Sequence, residues 1–395
     1  MSSLSWIVFD EIERQRARRI MALFEEKESR DELGLGPIRD SIADHLFPGT
    51  STIQTRVRYM LFVPWIYTMV EEMDVSPERL TQAARNLEIN LIDALRAGGE
   101  EEGVIGRIAH GQLQRLPSSV YWNGLRSWGI RTFAGSQEAY FASMPALRRH
   151  RLRKRSASGF PDDAMRNHGP WCADLPHRPD GLLERAEFKL SGDERDFLID
   201  RLVNAQPDSL LAHLAKAGRH AVCDFIWEHP DYTSFPDAAR RLIKHADVFS
   251  AVMHGAALLY NLMLAERREN EEWIDRYRRG LSDWRETEFD RTAVSLWSLD
   301  DFWRRIEHEG HRIRGRARQF VHRWCELADE HGGEIADLPA ARTLVQERER
   351  SLKASQSRFV NRTVLDKWGG RSGADRLSFR WREANSHIRD LTDAG

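Results

Sequence analysis

Val248-Phe-Ser-Ala-Val-Met-His254-Gly255-Ala-Ala-Leu-Leu-Tyr-Asn261-Leu-Met-Leu-Ala265 is apolar on every side of a helix. Pro236 stands where such a helix opens, and the pattern runs to about Glu266. The stretch reaches the minimum length for crossing a bilayer, but it carries His254, Gly255 and Asn261. A helix that is apolar all round is expected to be the central helix of a large soluble core. His254 and Asn261 share a face, and as buried polar groups each needs a hydrogen-bond partner. The other apolar stretch, Met60 to Val70, is too short to span, so no membrane partner is expected.

Working outward, the C-terminal half reads as helix throughout. Ser191-x-x-Glu194 has the form of a capping box ahead of Phe197, Leu198 and Leu202. Trp273, Tyr277, Trp284, Trp297, Trp303 and Trp324 mark the buried faces of later helices, and Leu344 to Phe359 is a further one. Gly369-Gly370 and Gly373 form a loop before a last helix ending near Leu391.

The N-terminal half opens with Trp6 to Phe9, a short strand or extended cap, and an amphipathic helix over Glu11 to Glu26. Gly34, Gly36 and Pro37 break the pattern before a helix at Ile38 to Phe47. After the Pro48-Gly49 turn, Thr50 or Ser51 caps a long helix into Tyr59, which Pro64 kinks or ends. Further helices run from Ser76-Pro77 to about Ala97, where Gly98-Gly99 closes them, and over Gln137 to Leu147. The expected architecture is all-α. It has two helical domains, 1–147 and 182–395, joined by a basic and then Pro/Gly-rich linker at 148–181. Any β structure is minor, at the N-terminus or near 186–190.

The 59 basic and 61 acidic residues leave a formal net charge of −2, so no global field draws nucleic acid or anionic membrane and any such contact must be local. Three widely spaced cysteines, Cys172, Cys223 and Cys325, imply no disulfide framework and suit a reducing compartment. Met1 to Trp6 lacks a basic start followed by an apolar run, so no signal peptide is expected and the location expected is cytoplasmic.

Four constellations bear on chemistry. Ile38 to Tyr59 reads helix, turn, helix, with Arg56 and Arg58 on the second, the layout of a recognition helix or of a packed hairpin. Arg148, Arg149, Arg151, Arg153, Lys154 and Arg155 form a block that attracts phosphates, or a solvated helix end. His308, His311, His322 and Cys325 have the ligand types of a zinc site without a recognised zinc spacing. Asp180 with Glu187 and Lys189 matches the letters of a metal-dependent nuclease core, which requires flanking strands. There is no P-loop, Gly-x-Ser-x-Gly elbow or His-Glu-x-x-His, and nothing calls for a cofactor or a small-molecule substrate.

Arg30-Asp-Glu-Leu-Gly-Leu-Gly36, Leu46-Phe-Pro-Gly-Thr-Ser-Thr-Ile-Gln-Thr-Arg56-x-Arg58-Tyr59, Phe62-Val-Pro-Trp65, Ser119-x-Tyr121-Trp122, Trp128-Gly-Ile-Arg131 and Phe379-Arg-Trp381 together resemble a bacterial family of unknown function. The resemblance implies a setting in anti-phage defence loci, beside helicases and phospholipase-D-like nucleases, and supplies no catalytic residues. The expected function is therefore a non-catalytic defence component binding DNA or RNA, or a helicase or nuclease subunit. A metal-dependent nuclease and a purely protein-binding scaffold are the alternatives.

Overall fold

The computed structural model describes residues 31–73, 75–158, 169–307 and 311–393, with backbone alone at 77 and over 148–158. The expected elements at 6–9 and 11–26 lie outside the described residues. The α-helices are α1 (Gly36–Leu46), α2 (Tyr59–Glu72), α3 (Pro77–Ala97), α4 (Pro117–Ser127), α5 (Gln137–Ser158), α6 (Gly192–Ala205), α7 (Leu210–Ala217), α8 (Asp237–Arg267), α9 (Glu271–Thr287), α10 (Arg291–Ser295), α11 (Leu299–Ile306), α12 (Gly315–Glu330), α13 (Pro339–Lys353), α14 (Arg362–Asp366) and α15 (Trp381–Thr392). Among the described residues there is no strand, only an isolated bridge between Arg131 and Trp171. The fold is all-α.

Two compact units divide the chain, one combining Met1–Ser41 with Leu242–Leu377, the other Ile42–Arg241 with Ser378–Gly395. This differs from the division expected at 148–181. Residues 169–181 are not a free linker, because their backbone is tied to earlier segments of the chain. Cys172 N donates to Ile130 O at 2.8 Å, Trp65 Nε1 donates to Pro176 O at 2.8 Å, and Ala186 N donates to Ala94 O at 2.9 Å. Trp171 is buried against Tyr67, Trp122 and Tyr140, and its indole N–H donates to Glu71 at 3.0 Å.

In the unit 42–241/378–395, α2 is the hydrophobic centre, with every residue from Tyr59 to Tyr67 buried. Pro64 neither ends nor replaces this helix, which continues to Glu72. The one hydrogen bond that proline removes is outweighed by burial of its neighbours, at about 1.5–3 kcal/mol per large apolar side chain. The expected helix over residues 50–58 is replaced by turns, because the Tyr121 hydroxyl holds that backbone in a non-helical shape. It accepts from Thr55 N at 2.8 Å and Arg56 N at 3.1 Å, and donates to Arg56 O at 2.8 Å. Gly49, at φ +80°, lies against Trp128, where a Cβ would come within 2.8 Å of the indole nitrogen. Helix α15 seals this layer. Trp381 packs on Phe47, and Arg380 donates to Asp44 and to Thr50 O.

In the unit 1–41/242–377, α8 is the core. The apolar stretch within it, long enough to cross a membrane, is 89% buried inside the protein. Trp284 and Trp324 donate their indole N–H groups to Ala251 O and Val252 O, at 2.7 and 2.9 Å, so both rings lie against this helix. As expected, His254 and Asn261 each have partners. His254 meets Glu288 at 2.8 Å and Ala374 O at 3.0 Å, and Asn261 exchanges hydrogen bonds with the backbone of Ser372 at 2.9 Å. The glycine-containing loop is thereby pinned to the core. Asp31 caps α1 through Leu35 N and Gly36 N, and buried Glu32 gathers Lys353, Arg358, Tyr260 and Ser372.

Candidate nucleic-acid interface

Arg56 and Arg58 are committed within their own unit. Arg56 Nε donates to both Asp390 oxygens, at 2.9 and 3.0 Å, and its guanidinium lies over the Phe188 ring. Arg58 donates to Glu194 and to Glu187 O, each at 2.7 Å, packs over Phe62, and has a side chain only 12% exposed. Part-buried, hydrogen-bonded ion pairs of this kind are costly to open, so both arginines are engaged inside the fold. The recognition-helix reading fails with the turn conformation at 50–58.

The basic run does not start a linker. It lies on the C-terminal half of α5, which extends to Ser158 rather than ending near Leu147. Cations are favoured at that end of a helix, which explains why the chain tolerates six of them in eight positions. The side chains of Arg148, Arg149, Arg151, Arg153, Lys154 and Arg155 lie outside the described residues.

The described members of the histidine and cysteine set do not form a metal centre among themselves. His308 lies outside the described residues. His322 Nε2 accepts from Trp303 Nε1 at 2.8 Å, and the two rings stack. Cys325 is buried, and burial pushes its thiol up to about 12. No group of three His, Cys, Asp or Glu residues is placed to hold a metal ion among the described residues.

The nuclease-core letters fail for a different reason. Residues 186–190 alternate as a strand would, with Ala186, Phe188 and Leu190 buried and Glu187 and Lys189 exposed, but they pair with no strand. Ala186 N bonds to Ala94 O, and Phe188 N donates to Glu100 at 2.6 Å, so a helix end and a carboxylate replace the ladder. Asp180 and Glu187 are both exposed, and Glu187 is paired with Arg185 at 3.1 Å.

A basic feature not singled out in the sequence emerges at His311-Arg-Ile-Arg-Gly-Arg-Ala-Arg318. Arg312, Arg314 and Arg316 are exposed and have no ion pair among the described residues, while Ile313 and Ala317 between them are buried. Most other arginines of this unit are matched to carboxylates, including Arg278 with Asp337 and Arg285 with Glu334. Helix α12 starts here with no acidic residue in its first turn and no side-chain cap. Carboxylates are favoured at that end of a helix, and this chain places cations there. The signal in the sequence was arginine at every second position, masked by the histidines and cysteine around it.

Several residues carrying the family resemblance are interior ones. Tyr121, Trp128 and Trp381 are buried and bond to the backbone of other segments, and buried Glu32 bonds to the side chains of Ser372 and Arg358. No curated protein and no solved structure matches the chain. The model of the Family of unknown function (DUF6361) matches residues 1–395, and the protein belongs to that family.

Proposed function

We propose that the protein is a non-catalytic, nucleic-acid-contacting component of a bacterial anti-phage defence system, acting beside a helicase or nuclease subunit in the cytoplasm. The observation that carries this reading is the set of exposed, uncompensated arginines at 312, 314 and 316, in a chain whose other described arginines are mostly neutralised. Phosphate contacts supply most of the affinity of a sequence-independent nucleic-acid binder, and arginine makes them without further machinery. The basic run on α5 offers a second cationic segment. The defence setting and the partner subunit come from the family resemblance.

The test is a fluorescence titration of the purified chain against single-stranded DNA, double-stranded DNA and RNA at two salt concentrations. Affinity that falls steeply with salt supports the proposal. Absence of binding to all three removes the nucleic-acid reading, and co-purification with neighbouring gene products then tests a protein-only adaptor.

A further inference from the structure

We infer that the Arg312–Arg316 row follows the sugar–phosphate backbone of one unpaired nucleic-acid strand, taking consecutive phosphates without reading bases. This rests on the nucleic-acid reading above and adds the kind of strand and the residues that track it.

The geometry is that of a single file. Residues 311–314 are not helical, and Arg314 has φ −62° and ψ 139°, an extended conformation. Arg312 and Arg314 are both exposed on either side of buried Ile313. Ile313 is turned inward and only 7% exposed, so Arg312 and Arg314 face solvent together, about 6–7 Å apart along the backbone. That step is comparable with the step between neighbouring phosphates on one strand. Arg316 continues the row on the first turn of α12, with Ala317 beneath it only 5% exposed.

The surrounding cations do not widen the row. Arg304 and Arg305 are both paired with Asp301, Arg318 with Glu307 and Arg323 with Glu326. A duplex presents two charged strands, and α11 and α12 offer one uncompensated line. Evenly stepped guanidiniums match evenly stepped phosphates, and contacts of that kind position a strand without carrying sequence information.

The experiment is a fluorescence-anisotropy titration of the full chain with labelled oligo(dT) and with a duplex of equal length, from about 50 to about 200 mM salt. Oligo(dT) is expected to bind more tightly than the duplex. In the Arg312→Gln/Arg314→Gln/Arg316→Gln variant, the slope of log affinity against log salt is expected to fall in magnitude by about 2, since each single-strand phosphate contact contributes about 0.7. The Arg→Lys triple variant, which keeps the charge, is expected to retain the wild-type slope, and this separates charge loss from misfolding. A wild-type slope in the Gln variant, or tighter binding to the duplex, overturns this inference while leaving the nucleic-acid reading standing. No binding by the wild-type chain overturns both.

Discussion

Arg56 and Asp390 meet across 334 positions of chain, the guanidinium Nε lying 2.9 and 3.0 Å from the two carboxylate oxygens. Asp390 also accepts from Val57 N at 3.0 Å, so one carboxylate joins the last helix to the turn ahead of α2. Burial pushes the Asp390 carboxyl up, and the Arg56 contact opposes that shift. Removing Arg56 leaves Asp390 buried without its cation, and removing Asp390 leaves part-buried Arg56 and the buried Val57 N without their acceptor, each at a cost of about 3 kcal/mol. Arg56→Ala and Asp390→Ala are each expected to lower the unfolding free energy by about that much in urea titrations. The double variant should lose less than the sum. Strictly additive losses would show that the pair is not coupled.

Arg58 provides the functional counterpart. Its bonds to Glu194 and Glu187 O are internal to the fold, so Arg58→Gln should lower the melting temperature and leave the affinity for nucleic acid, measured on the folded variant, unchanged. A large drop in salt-dependent affinity, with the melting temperature intact, would place Arg58 at the interface after all.

Two helical glycines should respond in opposite directions. A Cβ on Gly255 would come 2.5 Å from the Trp284 ring, closer than packed atoms approach. Gly255→Ala is therefore expected to destabilise by about 1–3 kcal/mol. A Cβ on Gly280 meets Leu258 at an ordinary 3.5 Å, so Gly280→Ala should stabilise by about 0.5–1 kcal/mol through helix propensity alone. Calorimetric melts of the two variants check both signs, and a loss at both positions would contradict the second.

Glu88 and His387 give the stability opposite dependences on pH. Glu88 is buried on α3, and burial pushes it up to about 7 although Ser118 N and Oγ both donate to it at 2.8 Å. Its folded value exceeds its unfolded one, so its contribution is full below about pH 4.5 and is lost as pH rises through about 7. His387 is buried against Tyr121 and Trp128, and burial, with Arg56 nearby, pushes it down to about 4. Stability is therefore lost as pH falls from about 6.5 through 4. Between about pH 4.5 and 6.5 the two nearly offset, each approaching about 1.4 kcal/mol per pH unit. Glu88→Gln should leave stability rising with pH in this window, and His387→Leu should leave it falling. Urea titrations giving parallel pH trends for all three proteins would refute the assignment.

The cysteines should differ in reactivity. Cys172 and Cys325 are buried, and burial pushes both thiols up to about 12, while Cys223 is partly exposed. A thiol-reactive dye at mildly alkaline pH is expected to label Cys223 first and the other two only on unfolding. Rapid labelling of Cys325 in the native protein would be the contrary result.

The sequence by itself determined the helical class, because periodicity and punctuation are local. The buried α8, the Ser191 capping box and the glycine ends of α3 follow from residues within a few positions of one another. It also determined that His254 and Asn261 need partners, though not which ones. Tertiary structure decided the rest. Tyr121 converts the expected recognition helix at 50–58 into turns with a hydroxyl sixty-odd residues away, a contact that no local pattern encodes. The division of the chain follows bonds such as Arg56 to Asp390 and Cys172 to Ile130, which overrule the loop-like composition of residues 169–181. The basic residues were visible in the sequence. Which of them are neutralised depends on carboxylates brought from elsewhere in the chain, and so only the fold separates Arg56 and Arg58 from Arg312, Arg314 and Arg316.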